Sequence, residues 1–161
     1  MNLPVIILAL VTLQRLGELW LSNRNTRRLL ARGAREVGTA HYPLIVAVHA
    51  LWLAALWWLA PGRPIDGFWL ALFVLLQLAR VWVIATLGER WTTRIIVLPD
   101  APLVRRGPYR LLNHPNYAVV VAEIAVLPLV FGLWQVALIF SALNAAVLAI
   151  RIRAENRALD R

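Results

Sequence analysis

The sequence predicts an all-α integral membrane protein: a bundle of about five transmembrane helices in a single domain, residues 1–161. Two observations support this fold class. Hydrophobic residues make up 61% of the chain, with eight tryptophans among them, and the mean hydropathy is +0.68. Such a composition is typical of a chain whose main solvent is lipid. Cysteine is absent, which excludes disulfide frameworks, thiolate nucleophiles and cysteine metal sites.

Five apolar segments follow one another along the chain. The first three are long enough to cross a bilayer alone, since a spanning helix needs about 20 apolar residues. The last two are short, and Pro128 and the pair Phe131-Gly132 interrupt them, which predicts a helical hairpin. Arg15 and Glu18 interrupt the first segment, which lacks the features of a cleaved signal peptide, so we expect it to be retained. The predicted spans are 3–21, 42–60, 66–87, 117–132 and 133–150.

Arginine supplies the whole basic excess, because lysine does not occur and the net charge is +9. Fourteen of the 17 basic residues fall in segments 22–41, 88–116 and 151–161, which lie on one side of a membrane that the chain crosses five times. Cytoplasmic loops are rich in basic residues. We therefore expect a bacterial inner membrane location, with the N-terminus outside and the C-terminus in the cytoplasm. The basic excess also suits membrane lipid headgroups, and no nucleic-acid-binding module is visible.

Charged and amide side chains interrupt the predicted spans, among them Arg15, Glu18, Gln77, Arg80, Glu123 and Asn144. Ionisable groups in spans usually face a bundle interior or a wet cavity, because inserting each one costs about 2.5–3.5 kcal/mol. Two interpretations remain open: the groups neutralise one another as packed pairs, or they line a polar cavity that opens to the cytoplasm. Asn144, Leu148, Arg151 and Glu155 share one face of a helix that continues out of the bilayer, which favours the cavity.

The stretch RRGPYRLLNHPNY, residues 105–117, concentrates polar chemistry directly before the fourth span. Gly107-Pro108 predicts a turn, Pro115 suits the first turn of a helix, and Asn113 or His114 would cap that helix. The start of a helix attracts anionic groups, and the three arginines of the stretch add positive charge, so an anionic cofactor is a natural occupant. The alternative is a purely structural cap with two tyrosines at the membrane interface.

The stretch RGPYRLLNHPNY, followed by a helical hairpin and then RIRAENRAL, resembles the paired signature of the isoprenylcysteine carboxyl methyltransferase family over roughly residues 88–160. The matching elements are Gly-x-Tyr, His-Pro-x-Tyr opening a helix, and Arg-x-x-x-Glu after the hairpin. RLGELWLSNRN and GAREVGTAHYP are further similar to a bacterial subgroup that includes alkylpyrone and alkylresorcinol O-methyltransferases. The resemblance implies a membrane methyltransferase that uses S-adenosylmethionine and a lipophilic small-molecule acceptor.

Residue by residue, the resemblance implies a cofactor pocket formed by Tyr109, His114, Pro115, Tyr117 and Glu155. Glu155 would accept hydrogen bonds from the ribose hydroxyls or the amino group. Arg151 would balance the methionyl carboxylate or orient the acceptor. Asn113 stands where eukaryotic members have an arginine implicated in holding the substrate carboxylate. Asparagine cannot clamp a carboxylate with two charged hydrogen bonds, so this departure favours a neutral hydroxyl as the acceptor.

A phenol or enol acceptor needs a base or a nearby cation, since its hydroxyl has a pKa of about 10. Glu123 and His114 are candidates for the base; the alternative for Glu123 is an ion pair with an arginine of another span. His41 and His49 would line a lipid tunnel or simply be packed, and three scattered histidines without cysteine make a metal site improbable. The rival functions are an NADPH-dependent sterol reductase, a phospholipid N-methyltransferase and a small non-enzymatic membrane protein.

Overall fold

The computed structural model describes residues 2–159, and five α-helices dominate this part of the chain. They are α1 (Leu3–Ala31), α2 (Tyr42–Leu59), α3 (Gly67–Leu87), α4 (Pro115–Val130) and α5 (Trp134–Ala158). Two three-residue strands, β1 (Arg35–Val37) and β2 (Ile95–Val97), pair antiparallel, and short 3₁₀ helices occupy Gly88–Arg90 and Gly107–Arg110. The predicted all-α class is confirmed. Four of the described helices are long and apolar enough to cross a membrane, and α4 is shorter, with 16 residues.

Helix α1 continues to Ala31, ten residues beyond the end of its predicted span. The polar part of this helix is held by the segment that follows α3. Ser22 Oγ lies 2.8 Å from Thr93 Oγ1, and Asn25 Nδ2 donates to the Trp91 carbonyl oxygen at 2.8 Å. Hydropathy therefore marked where the apolar run ends, whereas tertiary hydrogen bonds extend the helix itself.

A tight turn joins α4 to α5, as the sequence predicted. The amides of Phe131 and Leu133 both donate to the Pro128 carbonyl oxygen, at 3.1 and 2.9 Å, and Gly132 adopts a φ of +67°. The expectation that both helices of the hairpin are short is wrong for α5, which has 25 residues and is long enough to span a membrane alone. Its helix continues past residue 150 along the polar face that the residue spacing indicated.

The loops lie at the two ends of the bundle. At one end, the start of α3 meets the end of α4, where the Asp66 amide donates to the Val130 carbonyl oxygen at 2.9 Å. At the other end the three arginine-rich segments meet: Arg94 pairs with Glu36 at 2.9 Å, and Arg151 of α5 joins the same loop. The structure thus brings these segments together, as alternating helices require. We call this the arginine-rich end.

The apolar core lies in the other half of the bundle, around Leu8, Trp52, Leu56, Phe73, Leu127 and Phe131. Trp52 also donates its indole N–H to the Ile124 carbonyl oxygen, at 3.2 Å, which ties α2 to α4. Well-packed apolar side chains of this kind hold the helices in fixed positions. The cavities described below lie nearer the arginine-rich end.

Gly107 directs the chain into the 3₁₀ helix that precedes α4. Its φ is +53°, and a Cβ at this position would lie 2.8 Å from Thr86 Oγ1. We expect Gly107→Ala to lower the free energy of unfolding by about 1–3 kcal/mol, because alanine adds both backbone strain and this contact. Gly33→Ala is the matched control, since Gly33 also has a positive φ, +88°, but open space around it. Thermal unfolding in one detergent compares the variants; equal melting temperatures would show that the Thr86 contact costs nothing.

Candidate functional site

A cavity of about 180 Å³ lies at the arginine-rich end, between loop 90–116, the start of α4 and the last turns of α5. Strand β2 forms one of its walls. We call it the loop cavity. It brings together six of the residues that the sequence singled out: Tyr109, Asn113, His114, Tyr117, Arg151 and Glu155. Pro115 is the first residue of α4 and lies beside them. The amide of a first helical residue has no partner within the helix, so a proline there removes no helical hydrogen bond.

His114 occupies the N-cap position of α4, yet its side chain makes no capping hydrogen bond. Its Nε2 lies 3.0 Å from Asn156 Oδ1, and its Nδ1 lies 3.5 Å from Glu155 Oε2. The ring also stacks on Tyr117, with centroids 5.3 Å apart and planes inclined by 19°. Of the two predicted caps, Asn113 and His114, it is His114 that takes the N-cap position, but polar partners on α5 bind its ring, so the side chain does not bond to the first turn of the helix.

Tyr117 joins Glu155 and Arg151 in one hydrogen-bonded chain. Its hydroxyl donates to Glu155 Oε2 at 2.6 Å and accepts from Arg151 Nε at 2.8 Å. Arg151 Nη2 donates onward to the Thr93 carbonyl oxygen, at 2.6 Å. Within residues 2–159, this arrangement leaves Glu155 Oε1 and Arg151 Nη1 without a hydrogen-bond partner. One carboxylate oxygen and one guanidinium nitrogen are thus available to a ligand.

A recess of about 410 Å³ adjoins the loop cavity and shares Tyr109 and Asn113 with it. Arg105 and Arg110 line this recess. Guanidinium groups bind carboxylates and phosphates well, whereas the Glu155 carboxylate accepts hydroxyl and amino donors. Together the cavity and the recess suit a ligand that has an anionic group at one position and donors at another.

A second cavity, of about 340 Å³, lies inside the bundle, and we call it the bundle cavity. Most of its lining is apolar, including Leu16, Leu19, Val46, Leu53, Val120 and Leu148. Leu16 and Leu19 of α1 and Val46 of α2 are also exposed on the outer surface of the bundle. The cavity therefore opens sideways between α1 and α2, on the apolar surface that a membrane would cover.

Four side chains line both cavities: Trp91, Asn116, Tyr117 and Arg151. We call this set the shared wall. Trp91 Nε1 donates to Asn116 Oδ1 at 3.4 Å, and Tyr117 is bonded to Arg151 as described above. Sequence reasoning missed Trp91, which lies in the predicted loop 88–116, and Asn116, which fills the unspecified position of His-Pro-x-Tyr. The polarity of Asn116 at the start of an apolar span was the available signal.

Glu123 is fully buried in a charged network near the bundle cavity. Its Oε2 accepts from Arg15 Nη2 at 2.8 Å and from Arg80 Nη1 at 2.9 Å, and its Oε1 accepts from Gln77 at 2.8 Å. Arg80 Nη2 also donates to Glu18 Oε2, at 2.6 Å. Two carboxylates and two guanidinium groups thus neutralise one another, which is the packed-pair interpretation, while Arg15, Glu18 and Arg80 also line the cavity. A catalytic role for Glu123 stays a prediction.

The two remaining histidines lie in different environments. His49 lines the bundle cavity, and its Nδ1 lies 2.8 Å from the Ile45 carbonyl oxygen. His41 is buried just before α2, with its ring against Gly38. Burial and the nearby Arg151 guanidinium lower the pKa of His41, so that its ring is neutral at neutral pH and adds no charge beside Arg151.

Residues 69–161, more than half of the chain, match the isoprenylcysteine carboxyl methyltransferase family. An uncharacterized protein of Bacillus subtilis (strain 168), YpbQ, is 36% identical over 160 residues, which cover 96% of this chain and 95% of the relative. An uncharacterized protein of Haemophilus influenzae (strain ATCC 51907 / DSM 11121 / KW20 / Rd) is 27% identical over 154 residues, covering 91% and 88%. No solved structure matches the chain. The matched residues contain the whole shared wall.

Proposed function

This chain belongs to the isoprenylcysteine carboxyl methyltransferase family, and from that premise we propose that it transfers a methyl group from S-adenosylmethionine to an oxygen of a lipophilic acceptor. Membership indicates a membrane methyltransferase. The observation that carries the finer proposal is the shared wall: a polar cavity at the arginine-rich end and an apolar cavity that opens sideways meet at Tyr117 and Arg151.

The loop cavity and its recess fit the chemistry of the proposed donor. S-adenosylmethionine has a carboxylate, amino groups and ribose hydroxyls, and when bound it supplies a methyl carbon on a positively charged sulfur. Glu155 Oε1 has no partner within the described part of the chain and would accept from a ribose hydroxyl or an amino group. Arg105 and Arg110 would pair with the carboxylate from the recess.

Arg151 is the residue that we propose to act on the acceptor oxygen. Bonds to Tyr117 and Thr93 fix two of its nitrogens, so the third, Nη1, is oriented in advance. A guanidinium beside a hydroxyl favours the ionised form and so lowers the pKa of that hydroxyl. Asn116 would donate its amide N–H to the same oxygen, because its Oδ1 already accepts from Trp91. Together these donors would stabilise the oxyanion that forms when the acceptor hydroxyl gives its proton to His114, the candidate base that lines the loop cavity. The new oxygen–carbon bond would replace the carbon–sulfur bond of the donor, and S-adenosylhomocysteine would leave.

The acceptor would reach the shared wall from within the membrane. The opening between α1 and α2 is lined by apolar side chains, and buried hydrocarbon contributes about 25 cal/mol per Å² to binding. Asn113, in place of an arginine, supports a neutral oxygen rather than a carboxylate as the methylated group. The arginine-rich end would face the cytoplasm of a bacterium, with the protein in the inner membrane and its N-terminus outside.

Calorimetric titration of the detergent-solubilised protein with S-adenosylhomocysteine tests the donor site. We expect saturable binding by the wild type and at least a tenfold weaker Kd for Glu155→Ala and for His114→Ala, because charge-assisted bonds and the Tyr117 stack are lost. Glu89→Ala is the matched control, since Glu89 is an exposed carboxylate at the same end that pairs with Arg28 and lines neither cavity.

The proposed donor site is wrong if the folded wild type does not bind S-adenosylhomocysteine, or if Glu155→Ala and Glu89→Ala bind it equally. Binding of NADPH in its place would support the reductase alternative.

A further inference from the structure

Three polar groups line the bundle cavity without a hydrogen-bond partner among residues 2–159. Asn144 is only 6% exposed, yet its side-chain amide has no hydrogen-bond partner in the described part of the chain. Arg15 Nε is buried and unpaired. His49 Nδ1 faces the Ile45 carbonyl oxygen, which can only accept, so the neutral ring carries its proton on Nδ1 and leaves Nε2 as an unpaired acceptor. Each group comes from a different helix, α5, α1 and α2 respectively.

Unpaired groups of this kind indicate a ligand with polar atoms. More than 90% of buried polar groups in folded proteins have a partner, so the buried Arg15 Nε and the amide of the buried Asn144, together with Nε2 of the half-buried His49, call for an explanation. A plain hydrocarbon tail in this cavity would exclude water from these groups without offering them a hydrogen-bond partner, which costs free energy. The middle of the bundle cavity therefore suits a ligand that has a polar atom at this position.

The three groups lie deeper in the bundle than the shared wall. Tyr42 and Arg151 mark the level of the wall, because both bond to Thr93: Tyr42 Oη lies 3.0 Å from Thr93 Oγ1, and Arg151 Nη2 lies 2.6 Å from its carbonyl oxygen. His49 follows Tyr42 by seven residues, and Asn144 precedes Arg151 by seven. Seven residues of α-helix rise about 10 Å, so the second level lies about that far from the wall.

We propose that the acceptor carries a second hydroxyl, about 10 Å from the methylated oxygen, which binds at Asn144 and His49. His49 Nε2 needs a donor, the Asn144 amide N–H needs an acceptor, and a hydroxyl is the smallest group that is both. The inference rests on the proposed function, because that function assigns the bundle cavity to the acceptor. It makes the acceptor class a hydroxylated lipid with two separated polar positions.

Two probes of equal chain length test this subsite on the detergent-solubilised full chain. One is octadecanol; the other is an octadecanediol with its hydroxyls about eight carbon–carbon bonds apart, roughly the rise of seven helical residues. Displacement of a fluorescent long-chain alcohol measures both affinities. We expect the wild type to bind the diol about three- to tenfold more tightly, as one additional satisfied hydrogen bond predicts.

Asn144→Leu keeps the branched shape of the side chain but replaces the amide with methyl groups. We therefore expect this variant to bind the diol and octadecanol about equally well. Ser141→Ala is the matched control: it removes a buried, unpaired hydroxyl one turn earlier on α5, outside the bundle cavity, and should keep the wild-type preference. His49→Phe is a second variant in case Asn144→Leu does not fold, and it should also reduce the preference because it removes the accepting nitrogen.

The inference is wrong if the wild type binds the two probes equally or binds neither. It is also wrong if a folded Asn144→Leu protein keeps the wild-type preference for the diol. Titration of the same samples with S-adenosylhomocysteine separates the two proposals. Binding of that ligand without a diol preference refutes the hydroxyl subsite alone. A diol preference without that binding refutes the donor assignment and leaves the subsite standing.

Discussion

Arg151→Lys is expected to slow methyl transfer by about 100-fold or more, although it preserves the positive charge. Arg151 uses separate nitrogens for Tyr117 and Thr93 while a third remains for the acceptor. A lysine ammonium is a single point on a flexible chain and cannot hold this geometry. The rate is measured as transfer of label from methyl-labelled S-adenosylmethionine into the organic-soluble fraction of a bacterial lipid extract.

Arg153→Lys is the matched control for this experiment. Arg153 lies two residues further along α5, is exposed and lines neither cavity, so we expect its rate to stay within about twofold of the wild type. The affinity of Arg151→Lys for S-adenosylhomocysteine should fall by less than about tenfold, because Glu155 and the recess are unchanged. Equal rates in Arg151→Lys and Arg153→Lys would refute a role for Arg151 in orienting the acceptor.

Arg80→Leu is expected to destabilise the fold by about 3–5 kcal/mol. Arg80 is 5% exposed and binds both Glu18 and Glu123, at 2.6 and 2.9 Å, which connects α3 to α1 and α4. Its loss leaves two buried carboxylates to share Arg15. Thermal unfolding in a single detergent should show a decrease in Tm of about 10 °C.

The surface pair of Arg28 and Glu89 provides the control for the buried network. Its atoms are 3.0 Å apart, but its side chains are 48% and 61% exposed, so Arg28→Leu should cost no more than about 1 kcal/mol. Arg80→Leu combined with Glu123→Leu removes one charge of each sign and should recover part of the lost stability. Equal decreases in Tm for Arg80→Leu and Arg28→Leu would contradict the neutralised network.

The sequence predicted the helices well because hydropathy is a local property. The hairpin at Phe131-Gly132 and the continuation of α5 followed from turn chemistry and from spacing along one helix. The pairing of β1 with β2 could not be predicted, since each strand has three residues and they lie 60 positions apart. The polar extension of α1 likewise depends on partners in another part of the chain.

In the candidate site, too, local sequence patterns were predictive and long-range contacts were not. The order and spacing of the motifs predicted Tyr109, His114, Arg151 and Glu155 as site residues, and all four line the loop cavity. The sequence placed His114 at the N-cap position correctly, but it did not predict the direction of the ring, because the partner Asn156 is 42 residues away and no local pattern reveals it. Membership of the shared wall is a property of packing, since a side chain lines two cavities only once the helices are in place.

The shared wall has a kinetic consequence. The loop cavity and the bundle cavity open on different surfaces, one among the loops and one between α1 and α2. Under the proposed function, the donor from water and the acceptor from lipid would therefore use different entrances. We then expect no fixed order of substrate binding, and we expect each product to leave by the path along which its precursor entered.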